Sequence, residues 1–490
     1  MTNRKNCHPE RSEGSQSKNI TRTMMKTTIK LKHFLLLLAI LAGLAGCKKF
    51  LGINQSTNQQ LNPQTVQDFE EILNNPGIAQ PNYLQADIMG DDAEIDFASL
   101  QTLDTLKQFY LWEAAPWSAT KDDNMYNHSY RWIAHMNLVI QLIGQAPGGT
   151  AEQKALVLAQ SKINRAYAYL QLANLYAPAY QASTAARVLA VPLVLNINST
   201  TSPKQASLQQ VYSQVLADLE EAINSPALPN RIAGNALRPA KVAAFALQAR
   251  ACLYMGNYDG ALNAATAALN INSSLCNYNN GINNIFTGLF EQKDNPENLL
   301  ARIGTTVSNG DFGLNAEIQS LLGTKDLRFN NPRIRKRFSN KYFYFNTTYA
   351  ENGINYVVYN YNLGVAEMML VKAECLARKG DATGAINLLN ELRKNRFKPA
   401  DFVAYDDITD AQTALKLVLD ERRRELFFSG GLRLFDLKRL NLDPNFKKDL
   451  VRKDNTGKVI ATLPANSPRY VIPFSPKQLQ ANPNMVQNER

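Results

Sequence analysis

The sequence predicts a mainly α-helical protein, a scaffold of helical hairpins carrying an irregular, loop-rich half and a few short strands. Three observations lead there. Arg238–Asn272 and Gly364–Arg393 each place alanine-lined helical spacing on both sides of a glycine turn. Between them, about 273–363, Asn, Gly and aromatic residues crowd together without sustained helical periodicity. After them, Asp420–Asn441 (DERRRELFFSGGLRLFDLKRLN) sets dense charge beside Leu426, Phe427, Phe428 and Phe435. That combination suggests a partly buried ionic network more than a solvated face.

The totals agree with a folded globular protein. Of 490 residues, 45% are hydrophobic and 19% charged. The net charge of +11 is concentrated at the start, because the first 46 residues hold eight Lys/Arg and two Asp/Glu. Residues 47–490 keep 45 basic against 40 acidic side chains, a net of +5, a mild excess that gives no argument for nucleic acid as a partner.

Residues 1–23 are polar and aperiodic, whereas Met24 or Met25 opens a signal with Lys26, Lys30 and Lys32 before the apolar run Phe34–Leu44. The start is therefore expected there, with residues 1–23 not made in the cell. The run closes in Leu44-Ala45-Gly46-Cys47, which resembles a bacterial lipobox and implies cleavage before Cys47 and lipid attachment to it. A single spanning helix is the competing reading, but the apolar stretch falls short of the ~20 residues a bilayer needs. Residues 1–46 thus read as leader and signal peptide, 47–61 as a lipidated tether, and 62–490 as the body, exported and held on a membrane by lipid alone. Cys252, Cys276 and Cys375 are too sparse for a disulfide framework, and the apolar settings of Cys252 and Cys375 indicate buried thiols.

Within the body, Asn62–Asn75 reads as a short capped helix and Tyr83–Trp117 as loops rich in acids. Helices follow near Asp122–Ile143, Ala151–Tyr176 and Leu208–Ile223, broken by Pro147-Gly148-Gly149. In Arg238–Asn272 the turn Gly256-Asn257-Tyr258 separates two helices, the second lined by Ala261, Ala265 and Ala268. This resembles a tetratricopeptide repeat, in which small residues let paired helices pack closely. Ala373, Ala377, Gly380, Ala385 and Leu389 hold comparable places in the second copy. The scaffold is expected over about 120–272 and 364–441, with the insert between. At the end, a helix through Leu415, Val418, Leu419, Arg422 and Leu426 stops at Gly430-Gly431, after which Arg433 and Asp436 are spaced to pair.

Several motifs in one order are similar to the SusD/RagB family of outer-membrane nutrient-binding lipoproteins of Bacteroidetes. They are Cys47-Lys48-Lys49-Phe50-Leu51; the Arg131–Ile143 helix with Asn137; Arg165-Ala166-Tyr167-Ala168-Tyr169; and Arg238-Pro239-Ala240-Lys241. Ala366-Glu367 through Ala373-Glu374, Glu421-Arg422 with Glu425-Leu426, Arg433 and Asp436-Leu437, and the tail from Ile472-Pro473 to Gln487-Asn488 complete the series. The resemblance implies a SusD-like fold, a tetratricopeptide-like scaffold under an irregular ligand-binding half. It also implies an outer-membrane lipoprotein facing the cell exterior, the lid and partner of a SusC-like TonB-dependent transporter. Such proteins capture oligosaccharides, or in some cases peptides, and are not enzymes. Ser429-Gly430-Gly431-Leu432-Arg433 departs from the family's Glu-Gly-x-Arg, which implies a local change in that brace.

The resemblance directs ligand contacts to the amino-terminal loops and the insert, without a residue motif. Trp112 and Trp117, with insert aromatics such as Tyr342 and Tyr344, are candidates for a platform on which sugar rings lie flat; core packing is the alternative, and the one favoured for Trp132. Asp91 and Asp92 are candidates for bonding sugar hydroxyls, against ordinary solvated loop acids. Arg333, Arg335, Lys336 and Arg337 form a basic run, read as a solvated loop. Catalysis finds no support in the residues. His128 and His135 lack a third ligand in metal spacing, and no Gly-x-Ser-x-Gly elbow or phosphate-cradling loop occurs, so no cofactor or metal is expected. A glycosidase carboxylate pair stays open, because separation in space defines it. With no nucleophile beside it, the network of Glu421, Arg422, Glu425, Arg433 and Asp436 is expected to clamp the last helices onto the scaffold.

Overall fold

The structure is a computed structural model that describes residues 62–95, 104–198, 202–280, 295–307, 312–329, 334–337, 342–345, 347–351 and 354–490. Cys47, with the leader and tether, lies outside the described residues. The body, Pro63–Arg490, forms one compact unit.

Short polar side chains start several of its helices. α1 (Val66–Asn74) opens on Thr65, whose hydroxyl accepts from Asp68 N while the Asp68 carboxylate accepts from Thr65 N at 2.8 Å. Next come α2 (Leu84–Met89), strand β1 (Ala93–Ile95) and α3 (Asp104–Tyr110). The stretch expected to be loops thus holds two helices and a strand. These elements are too short to establish a period in sequence. α4 (Asn124–Leu142) is capped by Asp123, and α5 (Ala151–Tyr176) by the reciprocal pair Thr150 and Gln153. A hairpin of β2 (Leu189–Pro192) and β3 (Gln205–Ser207) leads into α6 (Leu208–Ile223), capped by Ser207 and Gln210.

α7 (Lys241–Tyr254) and α8 (Tyr258–Ile271) form the first repeat. Ala243, Ala244, Ala246, Ala261, Ala265 and Ala268 are fully buried between neighbouring helices, where a larger side chain would push the backbones apart. The second repeat pairs α10 (Val365–Arg378) with α11 (Ala382–Lys394). α10 packs against α8, so the two copies adjoin although the insert separates them in sequence. Of that insert, the described part holds β4 (Asn298–Leu300), β5 (Ile303–Val307), β6 (Phe312–Leu314), α9 (Ala316–Leu322), β7 (Ile334–Arg337), β8 (Tyr342–Phe345), β9 (Thr347–Glu351), β10 (Ile354–Asn360) and β11 (Leu363–Gly364). β5, β10 and β9 make an antiparallel sheet, β7 and β8 a ribbon, and β6 pairs back to β1.

α12 (Ala411–Leu426) and α13 (Leu432–Leu440) follow, then hairpin β12 (Leu450–Lys453) with β13 (Val459–Leu463), and α14 (Pro476–Ala481). Between α12 and α13 both glycines take left-handed backbone, φ 75° at Gly430 and 83° at Gly431. A Cβ on Gly431 would stand 2.8 Å from the Ala86 methyl, so this turn also requires the missing side chain. The main core runs from Tyr83 and Trp112 through the repeats to Phe474 and Met485. Trp132 belongs to a second core with Val66, Phe69 and Met136. Cys252, Cys276 and Cys375 are buried free thiols.

Candidate functional site

Four of the loop residues put forward as candidate ligand contacts are buried. Asp91 is 5% exposed and Asp92 2%. Arg433 grips Asp91 with two bonds of 2.6 and 2.8 Å, Lys448 Nζ adds a third contact at 2.8 Å, and Arg423 stands 3.3 Å away. Arg423 Nε donates to Asp92 Oδ1 at 2.7 Å and its Nη1 to Glu317 at 2.8 Å. Burial alone would raise the Asp91 carboxyl, but Arg433, Arg423 and Lys448 outweigh it and hold it well below its usual range. For Asp92, burial wins over Arg423 and the carboxyl rises. These acids are not solvated loop acids; removing them from water requires the cations that surround them.

The tryptophans are corrected likewise. Trp112 is fully buried, its Nε1 donating to Met89 O at 2.9 Å, and the Arg452 guanidinium lies 4.5 Å over its ring. Trp117 is 8% exposed, packs edge-on to Phe109 and donates to Pro473 O at 2.7 Å. With face and edge both covered, neither ring is free to carry a sugar. Tyr342 and Tyr344 stand in β8 opposite Arg337 and Arg335 of β7, and their side chains lie outside the described residues. Trp132 contacts both histidines, His135 at 4.9 Å and His128 at 6.3 Å between ring centroids, so these histidines join its packing.

Around α12 and α13 the charges are joined in two groups. Asp436 accepts from Arg422 and Arg439, each at 2.8 Å, and Arg439 continues to Glu374 of the second repeat. Arg433 does not pair with Asp436, as spacing suggested; Asp436 is held by those two arginines while Arg433 reaches Asp91. On the other side of α12, Glu421 meets Arg328 at 2.7 Å and Arg424 at 2.9 Å. Glu425 meets Arg328 and Arg396, each at 2.7 Å. Asp87 holds the glycine turn itself, accepting from Gly431 N at 2.7 Å; burial outweighs that bond and pushes its carboxyl up to about 7. The repeats carry ion pairs of the same kind, Arg250 with Glu367 and Arg165 with Asp218.

One arrangement resembles an acid–base pair. Glu297 and Glu425 share the Arg396 guanidinium at 2.9 and 2.7 Å. Burial raises Glu297 despite Arg396, whereas Arg396 and Arg328 overcome burial at Glu425 and draw it to about 2. The adjoining recess holds only about 70 Å³, and Arg396 is fully buried. Ligand pockets run from about 300 Å³ upward, so no sugar ring reaches these carboxylates and the pair is a brace.

A concave feature of ligand size among the described residues lies elsewhere. A cavity of about 660 Å³ opens between the end of α5, the end of α13 and the carboxyl-terminal tail. Lys438 stands in its wall, donating to Asn174 O and Ala177 O at the carbonyl end of α5. Burial lowers this amine to about 7. Nothing in the sequence marked the cavity, because its walls meet only in the folded chain.

Comparison with known proteins gives a consistent family. A SusD-like family described as starch-binding and associating with the outer membrane matches residues 49–253, and the SusD family matches residues 324–490. A SusD superfamily protein from Bacteroides thetaiotaomicron VPI-5482 superposes with a TM-score of 0.69 at 20% identity, over 87% of this chain and 100% of its own. Surface glycan-binding protein A from Bacteroides uniformis gives 0.66 at 20% identity, over 86% and 99%. A SusD-like carbohydrate binding protein from Bacteroides vulgatus ATCC 8482 gives 0.62 at 20% identity, over 86% and 98%. Curated protein sequences give no match. These structures share the fold, and the two matching families lie in order along the chain, which belongs to the SusD/RagB family.

Proposed function

We propose that the protein is a non-catalytic lipoprotein of the outer-membrane surface that binds a nutrient oligosaccharide and serves as the lid of a SusC-like TonB-dependent transporter. The observation that carries this reading is the match to a family described as starch-binding and associated with the outer membrane, which begins at residue 49, just after Cys47 of the lipobox-like motif. Lipid on Cys47 holds the body at the membrane, and residues up to 61 supply a tether. The insert, with Tyr342 and Tyr344, remains the proposed face for a long glycan. The buried ionic groups of α12 and α13 keep that half fixed to the scaffold and have no part in chemistry.

The test is a screen of the full mature protein against glycan and peptide arrays, with product analysis of each bound polymer. Glycan binding without turnover is expected. Binding confined to peptides would replace the ligand class while keeping the transport role. Turnover abolished by a single Asp or Glu substitution would replace the reading with a hydrolase.

A further inference from the structure

We propose that the cavity beside Lys438 is a second saccharide site, built for the end of a short, neutral sugar. The inference rests on the reading of the chain as a saccharide binder and adds a place and a selectivity to it. None of the cavity's lining residues comes from the insert or from the loops of residues 83–117, so it is separate from the face proposed above.

Size comes first. About 660 Å³ lies in the middle of the range for pockets that enclose small ligands. Composition comes second. Leu189, Leu442 and Val486, all lining the cavity, are 46%, 43% and 62% exposed, among the most exposed large apolar side chains described. Isolated exposed leucines need no explanation, but three at one mouth make an apolar patch. The C–H face of a sugar ring is a surface of matching character.

Hydrogen-bonding capacity decides the class. Asn466 and Asn488 use their amide N–H groups on the backbone carbonyls of Asn441, Tyr176 and Ile472, and each keeps an Oδ1 that takes no donor among the described residues. Gln181 also lines the cavity and is exposed, and its amide has no side-chain partner among the described residues. Glu489 adds a carboxylate at the mouth. The rim is therefore rich in acceptors, as a ligand bearing many hydroxyl donors requires.

Charge decides the selectivity. Lys438 is the one basic side chain among the lining residues, and two carbonyls at the end of α5 already hold its amine. An anionic ligand entering here would meet Glu489 and the negative end of the α5 dipole with no unbonded guanidinium to answer it. Neutral sugars escape that cost; sugar acids do not.

The test uses the full mature protein, with maltose, lactose and digalacturonic acid as probes for calorimetric titration. Two variants address the cavity. Ala179→Trp fills it from a half-buried loop position, and Gln181→Ala removes an exposed amide. Thermal unfolding of each confirms that the body is intact. A neutral disaccharide is expected to bind wild type, to lose at least ten-fold in affinity in Ala179→Trp, and to lose about three- to ten-fold in Gln181→Ala. Digalacturonic acid is expected to bind at least ten-fold more weakly than the neutral probes. Binding that neither variant alters would overturn the cavity site and leave saccharide binding intact. Preference for digalacturonic acid would overturn the proposed selectivity and, with it, the site as described. If neither these probes nor any array glycan binds wild type, the functional reading itself fails and this inference falls with it.

Discussion

The Asp91 contact is open to a quantitative test. Arg433→Ala removes the two-pronged partner, but Lys448 at 2.8 Å and Arg423 at 3.3 Å remain to hold the carboxylate. Breaking a buried pair costs about 3–5 kcal/mol when the surviving charge is left alone. Because two cations remain, Arg433→Ala should cost about 2–3 kcal/mol. Asp91→Ala takes from the buried Arg433 the carboxylate it grips, while Arg423 keeps Asp92 and Glu317 and Lys448 keeps Glu317, and should reach about 3–5 kcal/mol. Unfolding entropy near 2.1 cal/mol/K per residue makes a body of this length lose about 1 °C per kcal/mol. Calorimetry should therefore show Tm falling by about 2–3 °C and 3–5 °C respectively, with the affinity of the folded fraction for saccharide unchanged. The double variant should cost little more than Asp91→Ala, since its second substitution removes a partner already lost. Simple additivity would refute the pairing. Normal stability with selectively weakened binding in Arg433→Ala would refute the structural role and return this stretch to the ligand site.

Other outcomes follow from the same geometry. Glu425, held at about 2 against an ordinary 4.5, contributes stability that is complete above 4.5 and lost as pH falls toward 2; acid titration by circular dichroism should show Glu425→Gln losing less than wild type across that window. Asp87 has the opposite sign. Its carboxyl is raised from 3.8 to about 7, so its contribution is complete below 3.8 and lost as pH rises through 7. Urea unfolding should show Asp87→Asn gaining on wild type between those values, and a gap independent of pH would contradict the upward shift of this buried carboxyl. Gly431→Ala meets both a positive φ and the Ala86 methyl, and should lower stability by more than about 1 kcal/mol in the same assay.

The hairpin scaffold was readable because its signal is local. Alanine spacing and the glycine turn at 256 define α7 and α8, and α6 spans the residues that its periodicity indicated. Burial of Cys252 and Cys375 followed from their apolar neighbours. The ionic groups were readable only in part. Charge beside Leu426 and Phe435 pointed to a network, yet Asp91, Arg328 and Arg396 come from distant stretches that spacing cannot connect. Trp112 and Trp117 were ambiguous for a physical reason. An aromatic in a loop looks the same in sequence whether its face meets solvent or, as for Trp112, lies under Arg452. The cavity had no local signal either, since its lining is gathered from residues 178 to 489.

The pairing of early acids with late cations has a consequence for biogenesis. Asp91 and Asp92 wait for Arg423 and Arg433, Trp117 for Pro473, and the carbonyls of Ile88, Gly90 and Ala93 for Arg452. In a nascent chain emerging from its amino terminus, α1 meets its partners Trp132 and Met136 early, but the stretch from Ile88 to Trp117 waits for partners that come almost last. That delay suits the exported lipoprotein proposed above, which would cross a membrane before it folds. It also makes the last few dozen residues a checkpoint: clipping them would release the opposite end of the molecule to proteases and chaperones, even with every helical hairpin of the middle intact.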